Sequence, residues 1–404
     1  MIEKADKKPL GGWSAVFALT LCVSTLIASE FMPMSLLTPI ANDLAVTEGQ
    51  AGQAIAVSGI FAVLTSLFIS AATHRIDRRA LFLVLTAAML ASGVIVAFAP
   101  NYPLLMIGRA LIGVVIGGFW SMSAATVMRL LPEQDVPRGL AVLNGGNALA
   151  TTIAAPLGSF LGQYVGWRGA FFCVIPLAAL TLVWQYRTLP RMAAGPRASA
   201  FATFLILQRP QVALGMTALA LFFGAQFTLF TYLRPFLETV TGLSVTALSL
   251  VLLVLGVAGL AGTWAIGQAL RRTLYPLLIG MPVAMAAIAT GLIVFGWSGT
   301  AVAVLLGMWG FVGTAAPVGW WTWVSKTLPD DAEAGGGMLV AVVQFALTGG
   351  AAIGGLLFDS MGYRATFAMS VGLFALSSFF AVLTARWSEQ RAQAHPQPLE
   401  TLAA

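Results

Sequence analysis

The stretch Gly166-Trp167-Arg168-Gly169-Ala170-Phe171 decides the architecture of this chain, because a variant of it returns 196 positions later as Gly362-Tyr363-Arg364-Ala365-Thr366-Phe367. The same offset also relates three single residues to counterparts, namely Pro39 to Pro235, Gly158 to Gly354, and Glu30 to Gln226. A constant offset over most of a chain indicates an internal duplication. We therefore predict two related halves.

Composition indicates that the solvent of both halves is lipid. Hydrophobic residues make up 59% of the chain and charged residues only 9%, with a mean hydropathy of +0.90. Soluble domains carry roughly a quarter charged residues. The net charge of +6 would suggest nucleic acid in a soluble protein, but the loops account for it here, so we exclude nucleic-acid binding.

Cysteine and histidine offer little chemistry. Cys22 and Cys173 lie in apolar runs without metal or disulfide spacing, and His74 and His395 lie in a loop and a tail. We read the cysteines as small buried hydrophobes. We expect no metal site, no catalytic centre and no cofactor.

Twelve apolar runs are long enough to cross a bilayer, which needs about 20 residues at 1.5 Å each. The N-terminal run is too long for a signal-peptide core, so we interpret it as a retained span. The predicted all-α membrane protein has spans near residues 13–39, 51–72, 80–99, 104–129, 138–163, 168–187, 211–237, 244–270, 275–296, 300–326, 335–359 and 364–386.

Basic residues predict the orientation. The tails and the loops after even-numbered spans hold 17 of the 21 basic residues: Lys4, Lys7, Lys8, Arg75, Arg78, Arg79, Arg129, Arg138, Arg187, Arg191, Arg197, Arg209, Arg271, Arg272, Lys326, Arg386 and Arg391. This bias predicts that both termini are cytoplasmic. We assign residues 1–190 to the N-terminal six-helix half, 191–210 to a cytoplasmic linker, 211–390 to the C-terminal half and 391–404 to a cytoplasmic tail.

After the charges at the loop ends of the spans are set aside, three charged residues remain at membrane depth, namely Glu30 in span 1, Arg109 in span 4 and Arg234 in span 7. A charge at such depth costs at least ~2.5–3.5 kcal/mol, so it usually faces a cavity or a partner. An ion pair between Glu30 and Arg109 is geometrically possible. It would act either as a static bridge or as a proton-coupled switch, because burial favours the protonated acid and a nearby guanidinium favours the carboxylate.

Neutral amides and aromatic rings form a second group of candidates. The amides are Asn144, Asn147, Gln226 and Gln344, and the rings include Phe119, Trp120, Trp309, Trp320, Trp321 and Trp323. An amide can bond a nucleobase edge or sugar hydroxyls, although a bond between helices would satisfy it equally well. The rings offer stacking faces, but tryptophan near helix ends also anchors at the headgroups.

Glycine and proline clusters in spans 4, 5, 10 and 11 predict close helix contacts and kinks. They are Gly113-x3-Gly117-Gly118, Ala154-Ala155-Pro156-Leu157-Gly158-Ser159, Pro317-Val318-Gly319 and Gly349-Gly350-Ala351-Ala352-Ile353-Gly354-Gly355. Small residues let helix backbones approach, and proline removes one backbone hydrogen bond.

With these residues in view, the chain resembles the major facilitator superfamily, specifically its twelve-span drug:proton antiporter branch, from about residue 12 to 386. The stretch Leu105–Gly113 is similar to the family's span-4 motif, whose arginine, here Arg109, is associated with proton translocation. Ala155-Pro156-Leu157-Gly158 resembles the antiporter motif of span 5. These resemblances imply coupling roles for Glu30 and Arg109 and structural roles for Pro156 and Gly158.

The loop after span 2, Ala71–Arg79, resembles the family's cytoplasmic gating motif with two departures. His74 stands where aspartate is expected and Asp77 where glycine is expected. The resemblance implies gating or structural roles for Arg75, Asp77, Arg78 and Arg79.

Within that branch, the chain is most similar to bacterial purine ribonucleoside efflux pumps. The shared stretches begin at Glu30-Phe31-x-Pro33, Gly117-Gly118-Phe119-Trp120, Phe230-Thr231-Tyr232-Leu233-Arg234-Pro235 and Pro317-Val318-Gly319-Trp320. The resemblance implies export of nucleosides such as inosine and guanosine in exchange for protons. Substrate contacts would come from Asn144, Asn147, Phe119, Trp120, Gln226, Arg234, Trp320 and Gln344.

The sequence therefore predicts a monomeric antiporter of the bacterial inner membrane, with lipid, protons and a small molecule as its partners. An exporter of sugars or lipophilic drugs is the main alternative. A membrane-embedded enzyme would need a nucleophile–base pair or a metal cluster at depth. A transport-like receptor would need a signalling domain, which these residues do not suggest.

Overall fold

The structure, a computed structural model, describes residues 12–193, 206–270, 273–328 and 332–394, and these residues form helices and connecting turns. Most of the predicted linker and most of the predicted tail lie outside the described residues. So do these residues named above: Lys4, Lys7, Lys8, Arg197, Arg271, Arg272 and His395. Eleven helical stretches in the described part are long and apolar enough to cross a membrane. One of them, Arg138–Thr188, has 51 residues, about twice the length that a single crossing needs.

Gly166 divides this long stretch, so the described residues form twelve membrane-length helical segments, in agreement with the prediction. Span 1 is Trp13–Ser35 with Leu37–Leu44, and spans 2, 3 and 4 are Glu48–Ala72, Arg78–Ala97 and Tyr102–Leu130. Span 5 is the part of helix Val136–Phe172 up to Gly166, and span 6 is the rest of that helix, residues 167–172, with Val174–Thr188. Spans 7 to 12 are Pro210–Phe230 with Leu233–Thr239, Val245–Ala269, Leu274–Phe295, Gly299–Gly313 with Ala316–Thr327, Ala332–Met361, and Tyr363–Ala394.

The repeated motif makes the same turn in both halves. Gly166 has φ = 71° and Gly362 has φ = 76°, a left-handed conformation that glycine adopts without a Cβ clash. The arginine two residues later covers the neighbouring ring in each copy, with Arg168 4.3 Å from the Trp167 centroid and Arg364 5.9 Å from that of Tyr363. The repetition in sequence is therefore a repetition of backbone geometry.

Side-chain caps begin several of the spans. Thr47 and Gln50 form a capping box at span 2, and Asn101 accepts from the Leu104 N–H at span 4. Such caps satisfy backbone donors that have no partner within the helix. The cap at Asn101 confirms the predicted break between spans 3 and 4.

Spans 1 and 7 break at equivalent places. The first helix of span 1 ends at Ser35 and the first helix of span 7 ends at Phe230. In each span a proline, Pro39 or Pro235, follows the break and has no N–H to continue the ladder. The short second helices carry the chain to the turns near residues 45 and 242, at the end of the bundle that we call the outer end. The turns near 100, 166, 297 and 362 share it, and the opposite end is the inner end.

Buried apolar residues fill both halves, and the core of the C-terminal half extends to Met34, Ile55 and Ala155 of the N-terminal half, where the two halves meet. Gly59 of span 2 packs against Thr348 of span 11, and Gly256 of span 8 packs against Thr152 of span 5. Thr348 lies 196 positions after Thr152 and Gly256 lies 197 positions after Gly59, so the internal repeat relates the two contacts with a shift of one residue. The large apolar side chains that remain exposed, such as Val84, Phe98 and Leu356, suit a surface solvated by lipid.

Candidate functional site

Arg109 in span 4 is enclosed by spans 1 and 2 and donates to their backbones. Its Nη1 lies 2.8 Å from the Ser29 carbonyl oxygen and its Nη2 lies 3.2 Å from that of Glu30. Its Nε donates to the Ala54 carbonyl at 3.1 Å. The Ser29 carbonyl is available because Pro33, four residues later, has no N–H to offer it. The Ser29 carbonyl oxygen, which has no helical donor, therefore accepts a hydrogen bond from the buried guanidinium.

The Glu30 side chain meets the other half of the protein. Its Oε1 accepts a hydrogen bond from Gln344 Nε2 of span 11 at 3.4 Å, and both residues are buried. Arg109 contacts the main chain of Glu30 and not its carboxylate. Arg109 therefore contacts Glu30 through the main chain and not through the ion pair that the sequence allowed, because the carbonyl oxygens of Ser29 and Glu30 accept from its guanidinium.

Next to Glu30, two rings mark the contact between the halves. Phe31 of span 1 and Phe227 of span 7 stack with centroids 6.0 Å apart and an interplanar angle of 15°. They too are separated by 196 positions, so this stack joins equivalent residues of the two halves. Glu30 and its counterpart Gln226 are the residues immediately before the two rings.

A cavity opens beside this stack, with walls from spans 1, 5, 7, 8 and 10. Its lining consists of Phe31, Thr151, Thr152, Ala155, Gln226, Phe227, Phe230, Leu255, Gly256, Trp309 and Thr314. Its volume is about 70 Å³, which is small beside the ~300–1,000 Å³ of typical ligand pockets. The halves meet at this cavity, so separating them would enlarge it.

The predicted arginine of span 7 lies outward of the cavity and bridges the halves. Arg234 is buried, its Nη1 donates to the carbonyl of Ser35 in span 1, and its Nε pairs with Glu238 Oε1 at 2.8 Å. Pro39 leaves the Ser35 carbonyl without a helical donor. Arg234 is therefore placed to hold the outer ends of spans 1 and 7 together.

Most of the other predicted contacts do not line the cavity. Asn144 is exposed and donates to the Leu140 carbonyl at 2.9 Å, one turn earlier, while Asn147 is half-buried and its carbonyl accepts from Thr151. Gln344 lies at the interface through its bond to Glu30. Of the four amides, only Gln226 lines the cavity.

Three predicted aromatic contacts pack within their own halves. Phe119 is buried between Phe82 and Trp120, with edge-to-face contacts to both. Trp320 is buried and packs edge-to-face against Trp323 at 5.7 Å. Half-buried Trp120 packs against the same N-terminal core. Trp309 of span 10 is the tryptophan that reaches the cavity.

The loop after span 2 is tied to the segment after span 6. Asp77 caps span 3 by accepting from the Ala80 N–H and also accepts from the Met192 N–H at 2.8 Å. Arg79 donates to the Tyr186 carbonyl at 2.6 Å. These contacts explain how aspartate fits at a position where the family motif has glycine, because its carboxylate holds two backbone donors.

The two neighbouring arginines differ in their surroundings. Arg78 is buried and its Nη1 approaches Met122 Sδ at 2.9 Å, whereas Arg75 is exposed. The described contacts of the loop stay within the N-terminal half. They hold span 3 against the end of span 6.

Pro156 and Gly158 bring span 5 against its neighbours. Pro156 leaves the Thr152 carbonyl without a helical donor, and a Cβ at Gly256 of span 8 would lie 2.6 Å from that oxygen. A Cβ at Gly158 would lie 2.6 Å from Ser35 Oγ of span 1. These small residues therefore let span 5 contact spans 1 and 8.

The outer end is closed by a carboxylate that sequence reasoning did not select. Asp359, at the end of span 11, accepts from Thr47 Oγ1 at 2.5 Å and from the Gly49 N–H at 2.9 Å. Gln53 of span 2 also donates to the Ala352 carbonyl at 3.3 Å. We call this group of contacts the outer latch. The contacts between the halves described above run from mid-depth to this end.

The sequence carried signals for some of the missed residues. The offset of 196 relates Phe31 to Phe227 and Thr152 to Thr348, and it could have identified both pairs as interface positions. Asp359 offered no such signal, because its partners belong to a helix that begins more than 300 positions earlier.

Comparison with known proteins assigns the family. The model of the Major Facilitator Superfamily matches residues 17–347. The chain belongs to this superfamily. It is 57% identical over 391 residues to a Pseudomonas aeruginosa protein named Transcription regulatory protein OpdE, covering 95% of this chain and 97% of the relative. It is 41% identical over 383 residues to the Purine ribonucleoside efflux pump NepI of Salmonella paratyphi B, covering 95% and 96%.

The fold agrees with this assignment. The crystal structure of a D-xylose-proton symporter superposes with a TM-score of 0.74 at 17% identity, covering 91% of this chain and 97% of the symporter. The predicted family and fold are confirmed. The protein is a multi-pass membrane transporter of a small molecule and not an enzyme.

Proposed function

We propose that this transporter exports purine ribonucleosides such as inosine and guanosine from the bacterial cytoplasm in exchange for protons. The observation that carries the proposal is the buried Glu30 carboxylate, hydrogen-bonded to Gln344 of the other half. A carboxylate at the junction of two moving bodies can link its protonation to their separation. The 41% identity to a relative named as a purine ribonucleoside efflux pump supports the substrate class.

We further propose that both termini are cytoplasmic and that the protein works as a monomer in the inner membrane. The basic residues of the tails and of the loops after even-numbered spans support this orientation. In that orientation the latched outer end faces the periplasm, which corresponds to an inward-facing state. One chain supplies both walls of the cavity, which supports a monomer.

Two other functions have specific support. Aromatic walls also suit a sugar or multidrug exporter, as the sequence allowed. The regulatory name of the 57% identical relative favours a sensor that binds a ligand without carrying it. These possibilities predict different outcomes in one transport experiment.

Counterflow in proteoliposomes separates them. With unlabelled substrate inside, we expect labelled inosine and guanosine to accumulate transiently, while labelled sugars and cationic drugs do not. Accumulation of sugars or drugs alone would replace the proposed substrate class. Binding of nucleoside without counterflow would support the sensor.

A further inference from the structure

Two residues that line the cavity each carry a buried polar atom without a hydrogen-bond partner. The atoms are Gln226 Oε1 in span 7 and Trp309 Nε1 in span 10. Both residues line the same cavity. Buried polar groups are nearly always hydrogen-bonded, and an unpaired one is costly. An acceptor and a donor left free at one cavity suit a ligand that supplies the opposite pair.

The rest of the wall determines what shape that ligand has. Phe31, Phe227 and Phe230 line the same cavity, and Phe31 and Phe227 stack on each other. Aromatic faces bind flat rings by offset stacking. The cavity therefore combines stacking faces with one donor and one acceptor, which suits a planar heterocycle with an amide edge.

Given the proposed function, on which this inference rests, we propose that Gln226 and Trp309 form the base-recognition subsite of the transporter. Gln226 Oε1 accepts the N1–H of a 6-oxopurine, and Trp309 Nε1–H donates to its 6-oxo group. The ring lies against the phenylalanines once the halves separate. Gln226 is the repeat counterpart of Glu30, so one half supplies the carboxylate and the other supplies an amide for the base.

Other unpartnered tryptophans do not share this arrangement. Trp320 Nε1 and Trp323 Nε1 are also buried without a partner, but their rings pack on each other inside the C-terminal half. Trp323 is therefore a matched control for Trp309, since each ring is buried and each has an unpartnered N–H.

The test is a set of binding measurements on the full-length protein in nanodiscs with inosine and 1-methylinosine, which lacks the N1–H. For the wild type we expect N1 methylation to weaken binding about two- to tenfold, the range of one hydrogen bond. Gln226→Leu should weaken the binding of inosine by a similar factor and abolish the difference in affinity between inosine and 1-methylinosine.

The donor is tested with purine riboside, which lacks the 6-oxo group. Trp309→Phe keeps a ring but removes the N–H, so it should weaken the binding of inosine about two- to tenfold and leave the affinity for purine riboside unchanged. Trp323→Phe should change neither affinity. The subsite is overturned if each cavity variant loses affinity equally for both nucleosides, or if neither variant loses affinity for inosine.

The wild type separates this result from the proposed function. If it binds inosine but the methylation penalty persists in Gln226→Leu, the subsite is wrong and nucleoside export stands. If it binds sugars or drugs and no purine ribonucleoside, both proposals fail.

Discussion

Single prolines decide where charged groups lie in this bundle. Pro33 and Pro39 each leave one carbonyl of span 1 without a helical donor, and Arg109 and Arg234 donate to those carbonyls. Hydrogen bonds to charged groups contribute about 1.5–3 kcal/mol each, which offsets part of the cost of burying a guanidinium. The prolines and arginines are thus complementary pairs.

This pairing leaves the Glu30 carboxylate without a bond to Arg109, as the proposed coupling role requires. We expect Glu30→Gln to abolish efflux driven by a pH gradient, because glutamine cannot carry the proton. Counterflow of nucleoside, which needs no net proton movement, should persist within a fewfold of the wild type. Both rates are measured in the same proteoliposomes.

Glu48→Gln is the control, since Glu48 lies in the first turn of span 2 at the outer end. That variant should keep its pH-driven rate. If Glu30→Gln pumps uphill as fast as the wild type, the coupling site lies elsewhere.

Whole helices are joined by the outer latch. Asp359 of span 11 binds the N-terminal turn of span 2, so one half caps a helix of the other. Helix N-termini favour carboxylates because their first N–H groups have no partner within the helix and carry partial positive charge. This contact stabilises the state in which the outer end is closed.

Removal of the cap should favour an open outer end. N-cap losses cost about 0.5–2 kcal/mol, so we expect Asp359→Ala to shift the equilibrium about two- to thirtyfold. Spin labels on cysteines at Tyr164 and Trp297, exposed outer positions in different halves, should show a larger fraction of long distances by pulsed EPR. Cys22 and Cys173 are replaced beforehand.

Asp43→Ala provides the matched comparison. Asp43 is also an outer aspartate, but it pairs with Arg168 inside the N-terminal half, so the distance between halves should not change. An unchanged distribution in Asp359→Ala would show that the latch does not control closure.

The molecule as a whole is two copies of one helical half that meet through equivalent residues. The Phe31–Phe227 stack and the two glycine–threonine contacts follow the repeat. The polar residues do not follow the repeat, because the counterpart of Glu30 is the neutral Gln226 and Arg109 has no basic counterpart near residue 305. A symmetric scaffold thus carries an asymmetric site.

The orientation of this scaffold gives a direct test. In a chain without Cys22 and Cys173, a membrane-impermeant maleimide added to intact cells should label Tyr164→Cys at the outer end and not Gln134→Cys at the inner end. Both are exposed positions. Permeabilised cells, where both should react, serve as the control, and the reverse pattern in intact cells would overturn the cytoplasmic placement of the termini.

The sequence alone determined the spans, the repeat and the family. Each span can be recognised from its own residues, because a bilayer crossing requires about 20 apolar residues whichever helices pack beside it. The positive-φ turns at Gly166 and Gly362 were likewise visible as a repeated motif. Glu30, Arg109 and Gln226 could be selected because polar groups at membrane depth are rare.

Only the tertiary structure decided which side of each helix faces the cavity. Phe119 and Trp320 are packed inside their halves whereas Trp309 lines the cavity, and Glu30 meets Gln344 instead of the Arg109 guanidinium. In water, an apolar stripe shows which face of a helix is buried. In lipid, both the packed face and the solvated face are apolar, so the sequence pattern does not encode helix rotation and side-chain packing determines it.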